Sequence, residues 1–271
     1  MPVAEVRTEG ARLVVELMQP LRPGAAYAIE AAVRDEASNM TNFVAEVHGM
    51  NDRVPELVIS ELSPRGSGNN PDMVELFCRT GGNLAGVVLM EGSRSSGLDA
   101  MVFPSVEVAA GDYLIVHFKP EGTEEEKNEI EDTSASGGKK AHPDAYDFWV
   151  EGGDGLSGNN GAVTLYRSPT GPLLDAIIYS NRTSESDERY RGFGSKRVME
   201  MVDEITQDGG WRTAGERAAP EDAVSSDGTT GTRSICRNSS LVDTNSASDW
   251  HIVPTRGATF GWKNTDDVHV D

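Results

Sequence analysis

Two Gly-rich loops carry the residues that could hold a hard cation. "SGNNPD" supplies Asn69, Asn70 and Asp72, and "GGDGLSGNNG" supplies Asp154, Asn159 and Asn160. Calcium gathers roughly six to eight oxygens from carboxylates, carboxamides and backbone carbonyls of irregular loops, so these side chains suit it. Their competing role is turn chemistry, because Asn and Asp bond their own backbone and accept left-handed conformations with no ion present. Neither loop has the spacing of an EF-hand. Calcium is the one cofactor the sequence offers, and no other is expected.

Catalytic chemistry finds less. The histidines, His48, His117, His142, His251 and His269, are scattered, and none sits in an HxxxH or HExxH spacing. His117 alternates with Tyr113 and Ile115 on a predicted strand and reads as a structural histidine. There is no GxSxG elbow, and "GFGSKR" at 192–197 lacks the spacing of a phosphate loop, so it reads as an ordinary turn. Carboxylates abound, yet acid–base catalysis needs two of them held across a cleft in unlike environments, which abundance does not supply. No catalytic residue is expected.

The two cysteines, Cys78 and Cys236, are too few for a disulfide framework and lack the CxxC spacing of a zinc site. Cys78 shares an apolar face with Val74 and Leu76 and reads as a small buried hydrophobe. Strand pairing could bring it near Cys236, and an oxidising compartment would then permit a bridge, but the sequence does not fix their separation.

The elements that position these residues are short strands. "RLVVEL", "YAIEAAV" and "FVAEVHG" alternate apolar and polar residues within 1–48. "GMNDRVPE", at 49–56, reads as a polar linker. From there strands are predicted at 57–62, 73–78, 84–90, 101–108, 112–118, 162–167 and 173–179, a spacing that suits an antiparallel sandwich. Two breaks interrupt it. Residues 119–161 form a long polar insertion, read as an acidic loop in which "EEEKNEIED" could make a helical turn. The second runs from 180 to about 233 and includes "SKRVMEMVDEI", where Val198, Met201, Val202 and Ile205 recur at helical spacing. A polar tail, 265–271, closes the chain.

With the strands placed, residues 57–264 resemble the lamin-tail domain, an immunoglobulin-like β-sandwich found in many bacterial exported proteins. The resemblance rests on "LVISEL" and "DMVELF", "NLAGVVLMEG", "VEVAAGDYLIVHF", the Asp-x-x-x-Tyr strand inside "GPLLDAIIY", and the closing "SICR" and "SDWHIVPTRGATFGWKN". Residues 10–48 are similar to the closing half of a bacterial surface-layer-type immunoglobulin-like domain. They carry its Pro-Leu-x-Pro-Gly-x-x-Tyr segment and an Asp-x-x-x-Asn segment with Ser38 where Gly is usual. The expected fold is therefore all-β, an antiparallel immunoglobulin-like sandwich with long polar insertions and one short helix, preceded by a small partial unit.

Composition limits the partners. Twenty-four Lys and Arg against 44 Asp and Glu give a net charge of -20, which opposes general attraction to nucleic acid or to an anionic membrane. No apolar run of about 18 residues is present to span a bilayer. The start, "MPVAEVRTEG", has no export signal, so the protein is either cytoplasmic or a piece whose signal lies upstream; the resemblances favour an extracytoplasmic place. The expected function is a non-enzymatic module for adhesion, surface assembly or positioning of a neighbouring domain, with a protein or surface polymer as partner. The alternative is an accessory domain of an exported hydrolase or nuclease. The apolar face of residues 1–48 needs cover, from the larger sandwich or through weak self-association.

Overall fold

Alternation in the first segment is realised as four strands, β1 (Val3–Glu9), β2 (Arg12–Leu17), β3 (Ala26–Arg34) and β4 (Met40–His48). They form two separate antiparallel ribbons, β1 with β2 and β3 with β4. β1 escapes sequence reading because its register shifts between Val3 and Glu5, and a bulge spoils the two-residue period. The Asp-x-x-x-Asn segment closes the second ribbon. Asp35 accepts the Asn39 amide and its carboxamide N–H, both at 2.8 Å, and Ser38 stands at φ 71°, the left-handed conformation for which glycine is the usual choice.

The computed structural model describes residues 1–270 and divides the chain into two units, Met1–Asp52 and a larger one from Arg53 onward. The larger unit contains β5 (Leu57–Ser63), β6 (Met73–Cys78), β7 (Gly82–Asn83), β8 (Val88–Glu91), β9 (Ala100–Val102), β10 (Glu107–Val108) and β11 (Tyr113–His117). After these come β12 (Tyr146–Trp149), β13 (Asn160–Tyr166), β14 (Leu173–Ser180), the helix α1 (Lys196–Gln207), β15 (Val224–Ser225), β16 (Ile235–Arg237) and β17 (Trp250–Ile252).

These strands make an all-β sandwich. One sheet runs β12-β11-β6-β5-β16-β17 and the other β15-β14-β13-β8-β9, while β7 and β10 form a small pair. Ile59, Leu76, Val116 and Phe148 of the first sheet join Leu89 and Leu165 of the second in one buried core. Each such side chain contributes roughly 1.5–3 kcal/mol on burial. α1 packs against β13 and adds Met201, Val202 and Ile205 to that core, with Ser195 capping it by accepting the Val198 N–H.

The two breaks in strand spacing have a topological reason. β11 pairs with β12 in parallel, and β14 with β15 likewise. Parallel neighbours need a crossover of a dozen or more residues, and the segments 118–145 and 181–223 supply them. The segment expected as an acidic loop therefore contains an edge strand, β12. It is pinned by Glu129, which is fully buried and accepts the amides of Asp147 and Ser136 at 2.8 and 2.9 Å.

The bridge left open between Cys78 and Cys236 does not form: both thiols are free and buried. β6 and β16 lie on either side of β5, about two strand spacings or roughly 10 Å apart, beyond the ~7 Å that a disulfide spans. Cys78 also faces the core, whereas Cys236 lies beside Thr259 outside it.

Candidate functional site

β5 and β6 each bury a carboxylate amid apolar residues, in "LVISEL" and "DMVELF". An unbroken β5 would put Glu61 on the same face as Leu57 and Ile59, in the core. A register shift between Ile59 and Glu61 prevents this: it returns Leu62 to the core and sets Glu61 opposite Glu75 on the outer face. Glu61 accepts the Ser234 hydroxyl at 2.5 Å and the Thr259 amide and hydroxyl at 2.9 and 2.7 Å. Glu75 accepts the Ser60 hydroxyl at 2.6 Å and the Gly261 amide. Burial pushes both carboxyls up, and Glu75 rises well above the ordinary range because the Glu61 charge adds to its desolvation.

These bonds hold a strap, residues 254–264, over the outer face. Asn264 extends the anchorage by donating to the Ser60 and Arg237 carbonyls at 2.9 and 2.7 Å. Phe260 packs on Met73, Ile115 and Ala145. Gly261, at φ 80°, is required there, since an added Cβ would come within 2.5 Å of the His142 ring.

A second anchorage fixes the facing wall. His117 Nε2 lies 2.7 Å from Asp147 Oδ1, both side chains are fully buried, and the imidazole stacks on Trp149 at 3.8 Å. The other Asp147 oxygen accepts the His142 amide at 2.6 Å, which brings Lys140 and His142 to the strap. The His142 ring then meets Trp262 edge to face at 5.0 Å.

Between strap and insertion lies a cleft of about 390 Å³, floored by Ser63, Met73 and Ile115 of the sheet. Its walls carry Lys140, His142, Arg233 and Arg256, with Phe260 and Trp262, and among the described residues none of its lining side chains is Asp or Glu. That composition is opposite to the chain's, where 44 acidic residues outnumber 24 basic ones. Lys140 and Arg256 both adopt left-handed backbone, at φ 69° and 66°, a conformation rare for such residues and frequent where a loop is shaped for a ligand. Trp262 leaves 56% of its surface exposed beside them.

Of the loop residues suited to calcium, only Asn70 lines this cleft. Its backbone pairs with Ser67 in a tight turn next to exposed Asn69. Asp72 is buried and accepts the Gly66 and Leu156 amides, tying the two loops together. Asn159 accepts from Arg65, Asn160 donates to the Phe193 carbonyl at 2.6 Å, and the Asp154 amide donates to Asp99. Among the described residues no group of three or more His, Cys, Asp or Glu could hold a metal ion. Sequence reading missed the cleft's cations because they stand at 140, 233 and 256, with no spacing in common.

A family model, TP_1001_2nd, described as a protein second domain, matches residues 55–252. The chain belongs to that family. The TP_1001_2nd match runs from just before β5 to the end of β17, so it includes Lys140 and Arg233 and stops short of the strap. Over 168 residues the chain is 26% identical to an uncharacterized protein of Treponema pallidum (strain Nichols), a span of 62% of this chain and 42% of that protein. The chain thus covers less than half the length of this relative. No solved structure matches, and among the described residues no helix is long and apolar enough to cross a membrane.

Proposed function

We propose that this TP_1001_2nd domain is a non-enzymatic binding module of lamin-tail type, working outside the cytoplasm and recognising a protein or surface polymer. The observation that carries this reading is the cleft on the outer face of the six-stranded sheet. Its cations and aromatic rings are groups that hold a partner, and they sit on segments locked by buried carboxylates. Neither thiol lines the cleft, and burial pushes Cys78 up to about 12 and Cys236 higher still, far from the thiolate that a nucleophile needs. The extracytoplasmic assignment rests on the sequence resemblance. The test is turnover: the purified chain leaves phosphodiester, peptide and glycoside substrates intact, and hydrolysis abolished by one substitution in the cleft would remove the reading.

A second reading, an accessory domain of an exported hydrolase or nuclease, draws on one observation. More than half of the Treponema relative lies outside the match, which leaves room for a further domain in such proteins. Sequencing the gene on both sides of this segment decides between the two, since an adjoining catalytic domain favours the second.

A further inference from the structure

The cleft's chemistry narrows the class of ligand, an inference that rests on the binding-module reading. Three cations, Lys140, Arg233 and Arg256, converge on one cavity in a chain of net charge -20, and no described carboxylate lines it. Such a local concentration of positive charge stands out from the negative surroundings of the rest of the protein, and its natural complement is an oxyanion, carboxylate or phosphate. Arg233 is already engaged by His269, so Lys140 and Arg256 are the cations left to pair with a ligand.

The rest of the lining indicates what carries the anion. Trp262 leaves 56% of its surface exposed in the cleft wall, and an accessible indole favours a ligand with a flat or weakly polar face of its own. The Ser63 hydroxyl and the Asn70 carboxamide also line the cleft and make no side-chain hydrogen bond within the described chain, so donors and acceptors for hydroxyl groups stand ready. A volume of about 390 Å³ has room for a ligand of one or two rings. We propose that the cleft binds an anionic sugar, a pyranose bearing a carboxylate or phosphate, with the anion on Lys140 and Arg256, the ring on Trp262 and hydroxyls on Ser63 and Asn70.

The test is calorimetric titration of the whole chain with glucuronate and glucose 6-phosphate as the two anionic sugars. Glucose stands as the neutral ring, inorganic phosphate as the bare anion and adenosine monophosphate as an anion on a nucleobase. Saturable binding of one or both anionic sugars, tighter than glucose and bare phosphate, is expected, and which of the two binds better names the anion. Arg256→Gly and Lys140→Gly should each weaken it at least about tenfold. Neither should lower the melting temperature, because glycine adopts the left-handed backbone freely. Binding should also change the tryptophan fluorescence, and Trp262→Ala should weaken binding and abolish that change.

Binding that survives both glycine substitutions overturns the proposal, as does tighter binding of the nucleotide or no saturation by either anionic sugar. Failure of the probes would leave the binding-module reading in place, whereas turnover would remove that reading whatever the probes do.

Discussion

Glu61 and Glu75 stand directly opposite one another on β5 and β6, both fully buried, and each accepts a backbone N–H from the same strap, at Thr259 and Gly261. Two carboxylates so placed cannot both be charged cheaply. Glu61 has three donors from Ser234 and Thr259 to stabilise its charge, whereas Glu75 has two and carries the larger upward displacement. Glu75 is thus the member of the pair whose charged form is the more strongly disfavoured. The pair is an anchor for the cleft and a source of pH dependence.

Because both carboxyls are raised in the folded state above their ordinary 4.5, folding takes up protons between that value and the raised ones. The stability they contribute is complete below about 4.5 and is lost as pH rises through the folded values. Glu75→Gln keeps an acceptor for Gly261 and removes the like charge. It should match the parent protein in acid and exceed it by about 1–2 kcal/mol near neutrality. Urea unfolding at about pH 5 and about pH 8 measures this, and a difference independent of pH would contradict it.

Arg237 sits between the sheets with no exposed surface. Its Nη2 pairs with Asp175 at 2.7 Å, its Nε donates to the Ile59 carbonyl at 2.7 Å, and its Nη1 pairs with Asp243 at 3.0 Å, off hydrogen-bond alignment. Trp250 covers the guanidinium at 4.4 Å. Arg237→Met leaves the buried Asp175 without its cation, held only by the Ile59 and Ala176 amides, and should cost roughly 3–5 kcal/mol near neutral pH. Asp175 is already raised to about 6 by burial, and without the arginine it protonates more readily, so the loss should shrink in acid. A loss under about 1 kcal/mol in denaturant unfolding would mean that the pair contributes little.

The two thiols should be silent in the native protein and both react after unfolding without reductant. Each is free and fully buried, and burial disfavours the thiolate. Titration with a chromogenic disulfide reads this directly, and the absence of reactive thiols after unfolding would reveal a bridge that the strand order does not permit.

Removal of residues 1–52 should leave a cooperatively folding domain. The unit from Arg53 onward owns the sandwich core, and its first residues belong to it: Val54 packs on that core and Gly82 lies against the Arg53 carbonyl. Circular dichroism and thermal melting of the shortened chain check this, and a broad, non-cooperative melt would refute the division.

The sequence by itself determined the strands whose period is uninterrupted. β6 and β11 to within a residue or so, and the buried stripe of α1, are legible because side chains alternate on a strand and recur every three to four residues on a helix, while β5 shows as an apolar run bounded by turn residues despite the bulge inside it. The family resemblance put Ser38 where Gly is usual, and the structure gives that residue the left-handed backbone that glycine adopts freely. What only the tertiary structure decided is everything that depends on separation in space. The bulge before Glu61 moves a carboxylate from the core side to the outer face by one residue of register, which composition cannot reveal. β12 lies hidden in a polar crossover because its partner, β11, is distant in sequence. The cleft brings together positions 63, 70, 140, 233, 256 and 262, which share neither a motif nor a period, because strand order and the buried carboxylates Glu61, Glu75 and Asp147 hold the strap and the insertion on the same sheet.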